Sequence, residues 1–258
     1  MMRLTYLLRR REDMAPAEFY RYWLEEHGPL VAANARRIGA LRYVQVHALD
    51  DPANAAMAEA RGGMEPPYDG VAEVWFESRE ALVEALGSAA GQRAAAALVE
   101  DEAKFIDLAR SPLWLNHEHP QVNPTPENLV ARERDTLVKL YFPLRCHAHQ
   151  TLAEAQRYWY ACHGPLIRRQ AAGAGILRYV QVHRVEDELE QALRDARGTQ
   201  TEPYMGHAEV WFDRAGIQAV TEERRLANQR AIEDEAKFID FSRSAMWLGK
   251  EHVFVDHW

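Results

Sequence analysis

Leu41-Arg42-Tyr43-Val44-Gln45-Val46-His47 stands twice in this chain, the second time as Leu177 to His183. The offset of 136 residues carries other blocks with it. Arg21-Tyr22-Trp23 becomes Arg157-Tyr158-Trp159, His27-Gly28-Pro29-Leu30 becomes His163-Gly164-Pro165-Leu166, and Ala72 to Phe76 becomes Ala208 to Phe212. Glu100 to Asp107 returns at Glu233 to Asp240 with an offset of 133, so one loop of the second copy is three residues shorter. Self-similarity of this kind is an internal duplication and governs every later reading. The copies are 1–119 and 136–258. Between them, 120–135 carries Pro120, Pro124 and Pro126 without periodicity and reads as a linker.

Within one copy, Leu4 to Leu8 is a short apolar run that fits a strand. Pro16 fits a helix N1 position, and the second copy has a capping box at Thr151 and Glu154. The helix runs to His27, where Gly28-Pro29 is expected to stop it. Leu41 to His47 and Val71 to Phe76 read as strands, Gln92 to Arg110 as a helix, and Leu113 to Leu115 as a last strand. The order β-α-β-β-α-β is a ferredoxin-like unit. The long segment from Leu49 to Asp69 has the length of a functional lid.

A period of two puts Tyr43, Gln45 and His47 on one strand face and Val44 and Val46 on the other. It likewise separates Glu73 and Trp75 from Ala72, Val74 and Phe76. The aliphatic face is expected under the helices. The polar, aromatic face is expected over a pocket, because an unpaired buried polar group costs roughly 1–3 kcal/mol. A second sheet from the other copy would close that pocket.

The chain has 258 residues, 47% apolar and 27% charged, enough for one large or two small globular domains. Its formal charge of −8 argues against a nucleic-acid partner, which needs a basic stripe. Cys146 and Cys162 are too few for a disulfide framework. No signal peptide and no apolar run of membrane length is visible, so a cytoplasmic location without membrane association is expected.

Phe19-x-x-x-Trp23-x-x-x-His27-Gly28-Pro29-Leu30, Tyr43-x-Gln45-x-His47, Asp101-x-x-x-Phe105-x-Asp107 and Glu118-His119 together resemble the EthD family of the dimeric α+β barrel superfamily. The second copy matches at Trp159, His163 to Leu166, Tyr179, Gln181, His183, Asp234, Phe238, Asp240 and Glu251-His252, and departs at Ala155, opposite Phe19. The resemblance implies an α+β fold of two ferredoxin-like βαββαβ repeats. Here a single chain would form the dimeric α+β barrel as a pseudo-dimer, either monomeric or as a homodimer. It also implies chemistry without metal or organic cofactor, by a His and neighbouring Tyr or His, in isomerases, cyclases, decarboxylases and dehydratases. The superfamily also holds haem proteins and oxygenases.

Imidazole titrates near neutral pH and exchanges protons with carbon or oxygen, so His27 and His163 are the first catalytic candidates; the alternative is a helix-terminal His capping carbonyls. His47 and His183 are either second proton carriers or hydrogen-bonded strand ends. Tyr43 and Gln45, with Tyr179 and Gln181, are substrate-binding candidates or a hydrogen-bonded seam between the sheets. Glu73 and Glu209 serve the substrate, as general bases, or pair with a neighbouring His or Arg; Trp75 and Trp211 are pocket wall against the substrate or core. Of Asp101 and Glu102, with Asp234 and Glu235, periodicity does not choose which meets the site. Arg61 and Arg197 are carboxylate clamps or surface loop residues. His117-x-His119 and His147-x-His149 have ligand spacing but no matched pair, so no metal is expected. The leading expectation is a lyase or isomerase acting on a small hydrophobic, ring-containing metabolite. An oxygenase or haem protein, and a non-catalytic carrier of such a molecule, are the alternatives.

Overall fold

The computed structural model describes residues 1–125, 129–215 and 221–257; Pro126 of the expected linker lies outside them. The first copy gives β1 (Met2–Leu8), α1 (Pro16–Tyr22), α2 (Gly28–Asn34), β2 (Ala40–Ala48), α3 (Pro52–Glu59), β3 (Gly70–Phe76), α4 (Arg79–Gly87), α5 (Ala89–Glu102) and β4 (Leu113–Val122). The second gives β5 (Leu137–Leu144), α6 (Leu152–Tyr158), α7 (Gly164–Ala174), β6 (Ile176–Arg184), α8 (Glu188–Asp195), β7 (Gly206–Asp213), α9 (Glu222–Glu235) and β8 (Trp247–Asp256). The fold is mixed α+β. Among the described residues no helix is long and apolar enough to cross a membrane.

The eight strands form one closed antiparallel barrel in the order β1-β3-β2-β8-β5-β7-β6-β4. Closure rests on β4 and β8. Leu113 to Asn116 of β4 pair with β1, whereas Asn116 to Val122 pair with β6 of the other copy. Trp247 to Gly249 of β8 pair with β5, and Gly249 to Asp256 pair with β2. The last strand is thus far longer than Leu113 to Leu115, and Pro120 to Val122, expected in the linker, belong to it. The register shifts between Pro120 and Val122, the kind of irregularity where a residue without N–H is tolerated in a sheet. Further along the expected linker, Ala131 is fully buried against Val180, Val182 and Trp211.

Two helix boundaries also differ from expectation. Gly28-Pro29 does not end the helix. Trp23–His27 is a π-helical turn that runs straight into α2, with the Gly28 N–H bonded to the Trp23 carbonyl. The wider turn accommodates a proline that an α-helical interior would reject. Trp159–His163 repeats it before Pro165. The helix expected over Gln92 to Arg110 ends at Glu102.

The faces of β2 are the reverse of the expected ones. Tyr43 pairs with Val74 and Gln45 with Ala72, while Val44 pairs with Glu73. Paired residues share a face, so the Tyr43-Gln45-His47 row lies under the helices with Ala72 and Val74. Val44 and Val46 point into the barrel with Trp75, Trp114, Tyr141 and Trp247. Periodicity sorts faces within a strand, and only register sorts them between strands. The barrel interior is therefore packed with side chains, and among the described residues the two expected sheets enclose a void of only about 20 Å³.

At Gly206, φ is +147°, and a Cβ would run into the Val182 carbonyl oxygen. Its counterpart Gly70 is equally confined, by the Val46 carbonyl and the Trp23 ring. Gly206→Ala should cost roughly 2–4 kcal/mol in urea denaturation, since backbone strain and overlap act together.

Candidate functional site

Two cavities lie between the helices and the outer face of the barrel, one in each half. The first, about 760 Å³, is lined by Tyr6 of β1, Tyr43 of β2, Val74 of β3, and by Trp23, His27 and Glu102 from the helices. The second, about 390 Å³, is lined by Phe142, Tyr179, Val210, Trp159, His163 and Glu235. The roof of each comes from the opposite half. Leu189, Leu193 and Arg197, on and just past α8, cover the first cavity, and Ala53, Met57 and Arg61, on and just past α3, cover the second. The segment from Leu49 to Asp69 thus does form a cover, over the other copy's cavity.

The π turn delivers His27 to the cavity wall, and side chains of β2 fix that turn. Gln45 Nε2 donates to the Trp23 carbonyl at 2.7 Å and to the Tyr43 hydroxyl at 3.1 Å, and Trp23 Nε1 donates to the same hydroxyl at 3.3 Å. His47 stacks on Trp23 at 4.5 Å with Nε2 2.9 Å from Gln45 Oε1. The second copy repeats this with Gln181, Tyr179, Trp159 and His183.

His27 and His163 are both buried. His27 Nδ1 is 2.8 Å from Asp101 Oδ2, and His163 Nδ1 is 2.9 Å from Asp234 Oδ2. The aspartates are oriented in turn. Tyr22 and Lys104 donate to Asp101 Oδ1 at 2.7 and 2.9 Å, as Tyr158 and Lys237 do to Asp234 Oδ1. The hydrogen bond from His27 holds the Asp101 carboxyl far below the usual carboxylate range, against partial burial; His163 does the same to Asp234. An ionised aspartate on Nδ1 fixes the tautomer with Nε2 bare, which makes each ring a proton acceptor.

Both residues of the acidic pair are used. Asp101 takes His27, and Glu102 faces the cavity, where Arg197 grips it bidentately at 2.7 and 2.8 Å. Arg61 binds Glu235 at 2.8–2.9 Å. Each arginine is nearly buried and ties a roof to the opposite half, so neither is a surface loop residue and neither carboxylate partner is a substrate.

The remaining candidates lie elsewhere. His47 and His183 line neither cavity. Burial pushes both imidazoles well below their ordinary value, His183 to about 3, so they are neutral scaffold rings and not proton carriers in these sites. Gln45 and Gln181 are likewise committed to the π turns. Glu73, Trp75, Glu209 and Trp211 are inside the barrel around a void of only about 20 Å³, room for a single water and no substrate. There Arg3 contacts Glu73 at 2.6 Å, Glu118 at 2.7 Å and also Glu209. Lys139 contacts Glu73 at 2.7 Å, Glu209 at 3.2 Å and Glu251 at 3.3 Å. Burial pushes the Glu73 carboxyl up to about 8 against the pull of the two cations. Burial also opposes ionisation of Glu209, but Arg3, Lys139 and His207 outweigh it and hold that carboxyl ionised. Glu73, His207 and Glu209 bring donor atoms within 4.8 Å of one another. Arg3 and Lys139 already hold the carboxylates, and two fixed cations there oppose a third. His117 Nδ1 meets the Met1 carbonyl, and His147 Nε2 meets the Ala236 carbonyl.

The architecture is that of a mixed α+β barrel protein with an apolar cavity and a His–Asp pair in each of two halves. The EthD domain model matches residues 11–109 and 147–242, and the chain belongs to that family, with the domain present twice. No curated protein matches the sequence. A structure described as a candidate monooxygenase from Fusobacterium nucleatum is similar in fold, with a TM-score of 0.51 and 6% identity, over 98% of this chain and 93% of the other. A candidate monooxygenase from Lactobacillus acidophilus NCFM aligns at a TM-score of 0.47 and 10% identity, over 99% and 95% of the two chains. A candidate chlorite dismutase aligns at 0.45 and 9%, over 97% and 94%.

Arg197→Ala leaves Glu102 buried without its cation and should cost roughly 2–4 kcal/mol in urea denaturation; Glu102→Gln with Arg197→Met should recover part of that loss. The Asp101 and Asp234 carboxyls are depressed in the folded state. Their contribution is therefore complete above the unfolded value of about 4 and fades as pH falls through the folded value. Asp101→Asn with Asp234→Asn should be less stable than wild type at pH 7, and the gap should narrow below about pH 4 in urea titrations.

Proposed function

We propose that the protein is a small-molecule enzyme that moves protons on a small, largely apolar, ring-containing metabolite, as a lyase or isomerase without a cofactor. His27 and His163 are the acid/base residues. The single observation that carries this reading is the Nδ1-to-aspartate hydrogen bond of 2.8 Å in the wall of an apolar cavity, which leaves Nε2 as the basic atom. In the reaction, Nε2 takes a proton from a carbon beside a carbonyl and the electron pair moves onto the oxygen. Tyr43 accepts from Gln45 and Trp23, so its own proton is left to donate to that oxygen. Returning the proton at another carbon isomerises the substrate; delivering it to a leaving hydroxyl dehydrates it. The apolar lining keeps water from competing and strengthens both hydrogen bonds. Tyr179 and His163 are set in the same relation in the second cavity.

The same reading treats each copy, 1–119 and 136–258, as a ferredoxin-like unit. The whole is then a cytoplasmic pseudo-dimer, monomeric or paired as a homodimer, whose partner is the small hydrophobic molecule. The test is solvent-deuterium uptake into a panel of unsaturated lactones and aromatic hydroxy acids, read by mass spectrometry. Wild type should exchange at least one compound, and His27→Ala with His163→Ala should lower the rate roughly 10²–10⁴-fold. Undiminished exchange in that double variant would sink the assignment. Tight binding with no exchange in wild type would make the protein a carrier.

A further inference from the structure

The two cavities are built from matching elements but not matching residues. Gly91 and Ala95 of α5 stand where α9 has Arg224 and Asn228. Ala95 lines the first cavity, and Arg224 and Asn228 line the second. The larger side chains take up space, and the volumes are about 760 and 390 Å³. Small-molecule sites run from roughly 300 to 1,000 Å³, so these lie towards opposite ends of that range.

The sharpest difference is at Tyr6, whose counterpart is Phe142. Both rings line their cavities and lie 5.3 Å from the guanidinium of Arg197 or Arg61. Phenylalanine therefore does all the packing that this position needs. Tyr6 adds a hydroxyl that lies against the Arg197 guanidinium, itself only a donor, so the hydroxyl proton has no acceptor among the described residues, on a side chain only 4% exposed. Arg197 is already committed to Glu102. A buried O–H left without an acceptor is destabilising, and a ligand oxygen would relieve that. Burial pushes the phenol further up, so the group is an O–H donor at any working pH.

We infer that the first cavity is the site for a fused-ring molecule bearing a carbonyl oxygen, which the Tyr6 hydroxyl grips, and that the second takes a single ring without that hydrogen bond. The inference rests on the cavities being ligand sites, as proposed above, and not on proton transfer by His27.

The probe is 2-acetylnaphthalene, titrated calorimetrically into the full chain, with naphthalene as the oxygen-free control. Wild type should bind one molecule of the ketone per chain. Tyr6→Phe, which copies the second half and should fold normally, should weaken the ketone roughly five- to tenfold and leave naphthalene unchanged. Ala95→Asn, which copies the second half, should weaken ketone binding by narrowing the first cavity. Two equal molecules per chain, an unchanged ketone affinity in Tyr6→Phe, or no saturable ketone binding would each overturn the inference. A one-to-one ketone complex that depends on Tyr6 in a wild-type protein showing no solvent-deuterium exchange would leave this inference standing while proton transfer fails, so the two readings are separated.

Discussion

Each of β4 and β8 hydrogen-bonds at its start to its own copy and along the rest of its length to the opposite copy. Everything else in the molecule depends on that division. Without it each copy would end in an open sheet edge, with unpaired backbone groups along β2 or β6. The changeover falls on single residues. Asn116 faces Arg3 on one side and Arg184 on the other, and its side chain donates to Thr5 at 2.9 Å. Gly249 faces both Lys139 and Ala48, where a Cβ would press on Val46 and the His47 carbonyl. Closure also carries α3 and α8 across the boundary, so neither cavity is complete within one copy.

Closing the barrel brings Glu73, Glu118, Glu209 and Glu251 together inside it with Arg3 and Lys139, and with Arg42 and Arg178 beside them. Isolated charges would be strongly disfavoured there; Arg3, Lys139 and Glu209 stay charged because each is paired several times over, while burial favours the protonated form of Glu73. Arg3 and Lys139 occupy equivalent positions of the two copies and each contacts both Glu73 and Glu209. Trp75 and Trp211 cap the outer carboxylates with indole N–H bonds to Glu118 and Glu251 at 2.8 and 2.9 Å. These groups therefore hold the two halves in register, and the open volume is left to the outer cavities. That division explains why the polar residues of β3 and those of β2 serve unrelated purposes.

The duplication, the strand order and the family were legible because they depend on residues repeated in sequence, whereas α3, α4 and α8 were not. That His27 and His163 occupy matching places in the two cavity walls follows from a motif that survives in both copies. The site around them was less legible. Asp101 and Glu102 are adjacent, and which one meets a histidine is decided by where α5 docks. Gln45 and His47 carry polar groups that look destined for a ligand, yet they serve the carbonyl and ring of Trp23 in a π turn that helical periodicity does not announce. Glu73 was placed beside Tyr43 because a period of two says nothing about registry between strands. Arg61 and Arg197 gave no sign of their partners, because those sit in the opposite copy. Tyr6 was read only as part of a strand; its one visible signal was the replacement by Phe142 in otherwise equivalent surroundings.

A barrel assembled from two identical chains is bound to its symmetry: one coding change alters both cavities at once. Fusion removes that bond. In a single chain, Tyr6 and Phe142, or Ala95 and Asn228, are separate genetic positions, free to be altered one at a time while the shared barrel is held constant. A change that fits one pocket to a new shape no longer ruins the other, so one intact half can preserve an existing role while the other explores. The three-residue difference between the copies and the unequal pockets are what such independent inheritance leaves behind.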